Sequence, residues 1–182
     1  MGGNPILTYI LALGLVVGGI IAAYIAYNSA NADSTAQNTS QYITMMMSNV
    51  QTDFANNPQN YTGFNNKAAI QAGIPPSTWV STGQTANIVD PWVGQVVFAA
   101  ANVNGGTANG YTLDIPSMPG SVCATDASMY TQQTASISVN GAVVASNPSY
   151  GGTATTWPPA PAAIQGACGN SSNEVIWTQS GQ

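Results

Sequence analysis

The hydrophobic pattern divides the chain into three stretches with different rules. Residues 6–27 read ILTYILALGLVVGGIIAAYIAY, an unbroken uncharged run in which polar residues are almost absent. At 1.5 Å rise per residue a helix over these positions spans roughly 33 Å, the thickness of a bilayer core. Residues 28–41 are polar. An amphipathic stripe follows, with Ile43, Met46 or Met47, Val50 and Phe54 recurring at three- and four-residue steps among Ser, Asn, Gln and Asp. The pattern predicts a helix from about Pro5 to Ala55, stopped by Asn56-Asn57-Pro58. Such a helix is roughly 75 Å long, more than a small domain needs for its own core. Its first half must therefore be covered by lipid or by other chains. The methionines 45–47 read as packing residues.

Beyond position 56 the period shortens. A short helix is expected near Asn66–Ala72, closed by Gly73 and Pro75-Pro76. Strands are expected at Gln95–Ala101 and Tyr111–Ile115, with Asn104-Gly105-Gly106 turning between them. A helix is expected over Ser121–Tyr130. The strands Ser136–Val139 and Val143–Ser146 flank Asn140-Gly141, a strong hairpin signal. Asn147–Pro161, rich in Pro, Gly and Thr, reads as an exposed loop, Ala162–Ala167 as a helical turn and Glu174–Thr178 as a last strand. The fold class is α+β: one long N-terminal helix on a C-terminal antiparallel sheet. The organisation expected is a helix over 1–55, divided into an apolar half 1–27 and an amphipathic half 28–55, then a globular head over 56–182. No internal repeat is present.

Charge narrows the chemistry. Lys67 is the one basic residue, Asp33, Asp53, Asp90, Asp114, Asp126 and Glu174 are the acids, and histidine and arginine are missing from all 182 positions. A Ser-His-Asp triad, a histidine-bearing zinc site and an arginine phosphate clamp are thereby excluded. Nothing here neutralises a nucleic-acid backbone. The acids are too scattered for a calcium loop. No cofactor, no metal and no enzymatic activity are expected. Disorder is disfavoured, because 45% of the residues are hydrophobic. A surface of Asn, Ser, Thr and Gln hydrates without titrating, which suits exposure outside a cell.

Cys123 and Cys168 are the only cysteines. In a chain with export features the pair reads as a structural disulfide bounding residues 123–168, worth roughly 4 kcal/mol in the chain-entropy model. Two free buried thiols are the alternative. The apolar run permits alternatives too. Ala30-Asn31-Ala32 resembles a signal-peptidase site, but a signal peptide opens with basic residues and has a shorter core. An ordinary single-span anchor usually carries flanking Lys or Arg, and none is present. Within the run, Gly14 and Gly18 have the spacing of close helix packing, and Gly18-Gly19 is a place where the helix can locally melt. Asn38, Asn60 and Asn170 begin N-x-S/T triplets, frequent by chance in so polar a chain. Trp79, Trp92, Trp157 and Trp177 are candidates for sugar stacking, though more often core or interface anchors.

Several segments, in order, resemble the type IVb pilins of bacteria, including the bundle-forming and conjugative thin-pilus branch. AIQAGIPPSTWV is similar to that family's short helix and Ile-Pro turn. IVDPWVGQVVFAA is similar to its I-x-N-P-(F/W)-G-G entry into the sheet. NGYTLDIPSMPGSVC and PAAIQGACGNSSNEVIW resemble its two cysteine-bearing segments. The resemblance implies a structural subunit, the major pilin of an extracellular filament serving attachment, conjugation or motility. It implies a helical homopolymer, held in the inner membrane before assembly and handled by pilus assembly machinery including a prepilin peptidase. It further implies Met1 as the processed, N-methylated N-terminus. Ile6, Leu7, Ile10, Leu11, Leu13, Leu15, Val16, Val17, Ile20 and Ile21 would then form the filament core. A minor pilin or pseudopilin, and a membrane-anchored periplasmic binding module, are the competing readings. One departure stands out: the family's usual fifth-position Glu is Pro5 here, and no acid precedes Asp33. No partner for a buried N-terminal ammonium is therefore supplied at that position.

Overall fold

The structure is a computed structural model that describes residues 32–55, 60–82, 87–152, 157–169 and 171–181. The chain divides into two units, Met1–Thr39 and Ser40–Gln182. In the first, residues 32–39 are helical, and the Thr39 hydroxyl donates back to the Thr35 carbonyl at 2.9 Å. Helical backbone runs over 32–53 (α1). Among the described residues no helix is long and apolar enough to cross a membrane. The 6–27 run, Met1, Gly14, Gly18-Gly19 and the Asn56-Asn57-Pro58 stop lie outside the described residues.

The second unit is built on a six-stranded antiparallel sheet. Its strands are β1 (Ile88–Val89), β2 (Gln95–Ala101), β3 (Gly110–Met118), β4 (Thr134–Val139), β5 (Ala142–Ser146) and β6 (Asn173–Ser180). Their spatial order is β1-β2-β3-β6-β4-β5. Three short helices accompany them: α2 (Asn66–Gln71), α3 (Gly120–Asp126) and α4 (Pro161–Ala167). The last strand thus enters the middle of the sheet. In that position it has a ladder on both sides, and its burial alternates along the strand as pleating requires. Trp177 sits opposite Leu113 of β3 and Ile137 of β4, and all three are fully buried.

The stripe of α1 supplies the covering layer. Ile43, Met46, Met47 and Val50 are all buried in one core with the inward residues of the sheet. Their i, i+3, i+4, i+7 spacing puts them on one helix face. Polar contacts anchor α1 to the sheet and its approach: the Tyr111 hydroxyl donates to the Met47 carbonyl at 3.3 Å, the Gln179 amide of β6 donates to the Met47 sulfur at 3.8 Å, and Gln51 donates to the side chain of Gln133, just before β4, at 3.1 Å. At the helix end Phe54 stacks on Tyr61 at 4.4 Å and meets Phe64 edge-on at 5.2 Å. Phe64 in turn touches Phe98 and Tyr111 edge-on. Such pairs contribute about 0.5–1.5 kcal/mol each beyond their buried area.

Helix α2 is capped by Asn65, whose side chain accepts from the Ala68 amide at 3.1 Å. Asn66 then behaves like a short piece of strand. Its side-chain NH2 donates to the Val96 carbonyl at 2.8 Å and its side-chain oxygen accepts from the Phe98 N–H at 2.6 Å, so these two backbone groups of β2 are satisfied. The hairpin β4–β5 turns on Asn140 (φ 51°) and Gly141 (φ 78°), with Val139 paired to Ala142. Both turn residues lie at positive φ, as a two-residue type I′ loop demands.

Several expectations differ in detail, and one strand was not expected. The helix expected over 121–130 runs from Gly120 and closes at Asp126, where the chain turns and the Met129 carbonyl becomes the acceptor for the Trp177 indole N–H at 3.1 Å. The strand expected to end at Ile115 continues to Met118 through Pro116. Pairing with β2 extends only to Asp114, so the missing N–H of Pro116 leaves no gap on that side. The expected loop 147–161 opens with a 3₁₀ turn, Pro148–Tyr150, and a buried Asn147. The two-residue strand β1 is too short to give a periodic signal in sequence.

Candidate functional site

The structure joins Cys123 to Cys168, with an S–S distance of 2.01 Å and Cα atoms 5.9 Å apart. The bond links α3, where Cys123 is fully buried, to the C-terminal cap of α4. The region it bounds holds β4, β5 and the 3₁₀ turn. Beside it lies a residue that sequence reasoning passed over. Buried Asn173, at the first position of β6, donates to the carbonyls of Met118, Gly169 and Ser171 at 3.1, 3.2 and 2.7 Å. Its side-chain oxygen accepts from the Gly169 amide at 2.7 Å and from Asn140 at 2.9 Å. Asn140 also donates to the Ala167 carbonyl at 3.0 Å and accepts from the Glu174 amide at 3.0 Å. Two asparagine side chains therefore tie the β4–β5 turn, the end of α4 and the start of β6 into one polar knot next to the disulfide. An Asn in an Asn-rich sequence carries no local mark of such a role.

The acids hold structural posts. Asp90 is buried in the turn before β2, and one carboxylate oxygen accepts from the Trp92 and Gly94 amides, each at 2.8 Å. Burial raises its pKa, and these backbone donors oppose the rise. Asp126 is completely buried at the end of α3; Ser40 of α1 donates to it at 2.5 Å. Burial pushes Asp126 up to about 6 against the pull of that hydroxyl. Asp114 on β3 is also pushed up to about 6, by burial first and then by the negative charge of Glu174 on β6. One oxygen each of Asp114 and Asp126 has no hydrogen-bond partner among the described residues. Among those residues no group of three or more His, Cys, Asp or Glu side chains could hold a metal ion.

The tryptophans divide. Trp79 and Trp177 are core residues, the former edge-on to Tyr42 at 5.7 Å. Trp92 and Trp157 are only partly buried. Of the N-x-S/T asparagines, Asn38 and Asn60 are exposed, and Asn170 lies outside the described residues.

A helix laid across an antiparallel sheet, with a disulfide closing the C-terminal region, is the α+β architecture of a pilin head. The family model described as PilS N terminal matches residues 33–180. A crystal structure of a type IV b pilin from Salmonella typhi is similar at 22% identity with a TM-score of 0.48, over 64% of this chain and 78% of that one. No protein with a curated description matches. The chain belongs to the PilS family and is a type IV pilin subunit. Members of that family are structural subunits.

Proposed function

We propose that the chain is the major pilin of an extracellular filament, polymerising through its N-terminal apolar helix. The observation that carries this reading is the contrast between the two halves of the expected helix. The amphipathic half needs only one apolar stripe, and Ile43, Met46, Met47 and Val50 bury it in the core of the head. Residues 6–27 are apolar all round, so covering one face leaves the others in need of a partner. Identical runs from neighbouring subunits meet that need. Burying about twenty apolar side chains in this way contributes tens of kcal/mol gross per subunit, before the entropic cost of association.

In this reading Ile6, Leu7, Ile10, Leu11, Leu13, Leu15, Val16, Val17, Ile20 and Ile21 line the filament core, and Gly18-Gly19 is where the helix melts as the subunit leaves the inner membrane. Electron microscopy of sheared extracellular material, with mass spectrometry of the chain recovered from it, tests the proposal. Long homopolymers whose subunit retains residues 6–27 support it. A chain that begins beyond Tyr27, or that stays in the membrane as a monomer, overturns it.

A further inference from the structure

We infer that the head carries a binding groove for uncharged carbohydrate, beside the 3₁₀ turn Pro148–Tyr150. Tyr130 is 49% exposed, and its ring meets that of Trp157 edge-on at 5.0 Å, with 67° between the planes. The two rings form one side of a groove of about 550 Å³ whose remaining lining includes Gln132, Asn147 and Ser149. That volume falls in the range of about 300–1,000 Å³ common to small-ligand sites. A second groove of about 650 Å³ shares Gln132 and Ser149 and continues past Tyr150 to Asn109 and Gln133. The two make one track along the surface.

The track is rigidly built. Asn147 is buried; its amide donates to the Thr134 carbonyl at 3.2 Å and its oxygen accepts from the Ser149 amide at 3.0 Å, which sets the turn. The Tyr150 hydroxyl donates to the Gln132 carbonyl at 3.1 Å and braces the other strand of chain. The groups left over are of a different kind. The Tyr130 hydroxyl, the Gln132 amide, the Ser149 hydroxyl and the Trp157 indole N–H form no hydrogen bond with another described residue, and all four side chains line the first groove. They offer donors and acceptors beside two aromatic rings.

Among the described residues no Asp, Glu or Lys lines either groove. A charged ligand would find no counter-ion there, and its desolvation would go unanswered. A sugar ring matches what is present: its C–H faces lie on aromatic rings, and its hydroxyls both donate and accept toward amides and hydroxyls. Two adjoining grooves accommodate a chain of at least two rings. The inference does not depend on polymerisation, since every residue in it belongs to one head.

The test uses the full-length chain in a detergent without a sugar headgroup, titrated with lactose, maltose, cellobiose and chitobiose, and with sialyllactose as a charged control. Tryptophan fluorescence and saturation-transfer NMR are the readouts. At least one neutral disaccharide should bind with a Kd of about 0.1–10 mM, as expected of an open site. The binding should hold between about 0.05 and about 0.5 M salt, because no ion pair is involved. Trp157→Ala and Tyr130→Ala should each weaken it about tenfold or more. Gln132→Ala and Ser149→Ala lie on the exposed surface and keep the test decisive if an aromatic variant fails to fold; each should weaken binding several-fold with an unchanged melting temperature. No binding by any of these sugars overturns the inference, as does binding indifferent to Gln132→Ala and Ser149→Ala. Substitutions that alter the sedimentation of the chain, with no sugar bound, would assign the groove to a second copy instead.

Discussion

The Ser40 hydroxyl donates to a carboxylate oxygen of Asp126 at 2.5 Å, across 86 positions of sequence. This contact fastens α1 to the end of α3 and leaves the second Asp126 oxygen without a protein partner among the described residues. A buried carboxyl so placed is more comfortable neutral than charged.

The pH dependence follows. Folded Asp126 and Asp114 titrate near about 6, against 3.8 for an ordinary aspartate. Between those values the folded chain keeps protons that the unfolded chain has released. Stability from these groups is therefore greatest below the unfolded value, declines as pH rises through the window, and levels off above the folded value. Thermal or urea melting between about pH 3.5 and 8 should show the head more stable in mild acid, with Asp126 alone accounting for about 1–3 kcal/mol. Asp126→Asn keeps an acceptor for Ser40 and removes the charge. It should raise stability at neutral pH by about 1 kcal/mol and flatten the profile. A profile equally steep in the variant would refute this assignment.

Reducing the disulfide should cost the head about 4 kcal/mol, since Cys123 and Cys168 close a loop of 45 residues. Paired Cys123→Ala and Cys168→Ala substitutions, compared with the oxidised chain in urea, measure it. The Asn140–Asn173 knot should keep part of this region together after reduction, so hydrogen exchange there should speed up less in the reduced chain than in reduced Asn173→Ala.

Asn173→Ala leaves the Met118, Gly169 and Ser171 carbonyls without their side-chain donor. Because Asn173 is 1% exposed, water replaces those bonds poorly. The expected loss is about 2–4 kcal/mol by denaturant melting. Asn173→Asp should be no better, as it supplies oxygen where the carbonyls need a donor.

Val93 carries a backbone strain that its side chain does not repay within the head. It stands at φ 69°, a conformation uncommon for a β-branched residue, and is 85% exposed. The type IVb pattern that this turn resembles has Gly at the same position. Val93→Gly should raise the stability of the isolated head by about 0.5–1.5 kcal/mol, read as an increase in urea midpoint with an unchanged slope. A lowered midpoint would show that the valine contributes packing that its exposure hides.

Much of this protein was written in local pattern. The stripe Ile43, Met46, Met47, Val50 named its buried face because a helix returns to the same side every three or four residues. Asn140-Gly141 named its hairpin because few other pairs tolerate two consecutive positive φ angles. The missing histidine and arginine closed off whole classes of chemistry before any coordinate was known. What only the tertiary structure decided is whatever depends on distant partners. That includes β6 entering between β3 and β4, Ser40 reaching Asp126, Asn173 gathering three carbonyls, and Tyr130 meeting Trp157 beside a 3₁₀ turn that looked like loop. Periodicity reports which face of an element is apolar; it is silent on which element that face will meet. A polar side chain reveals its task only when the fold has taken water away from it.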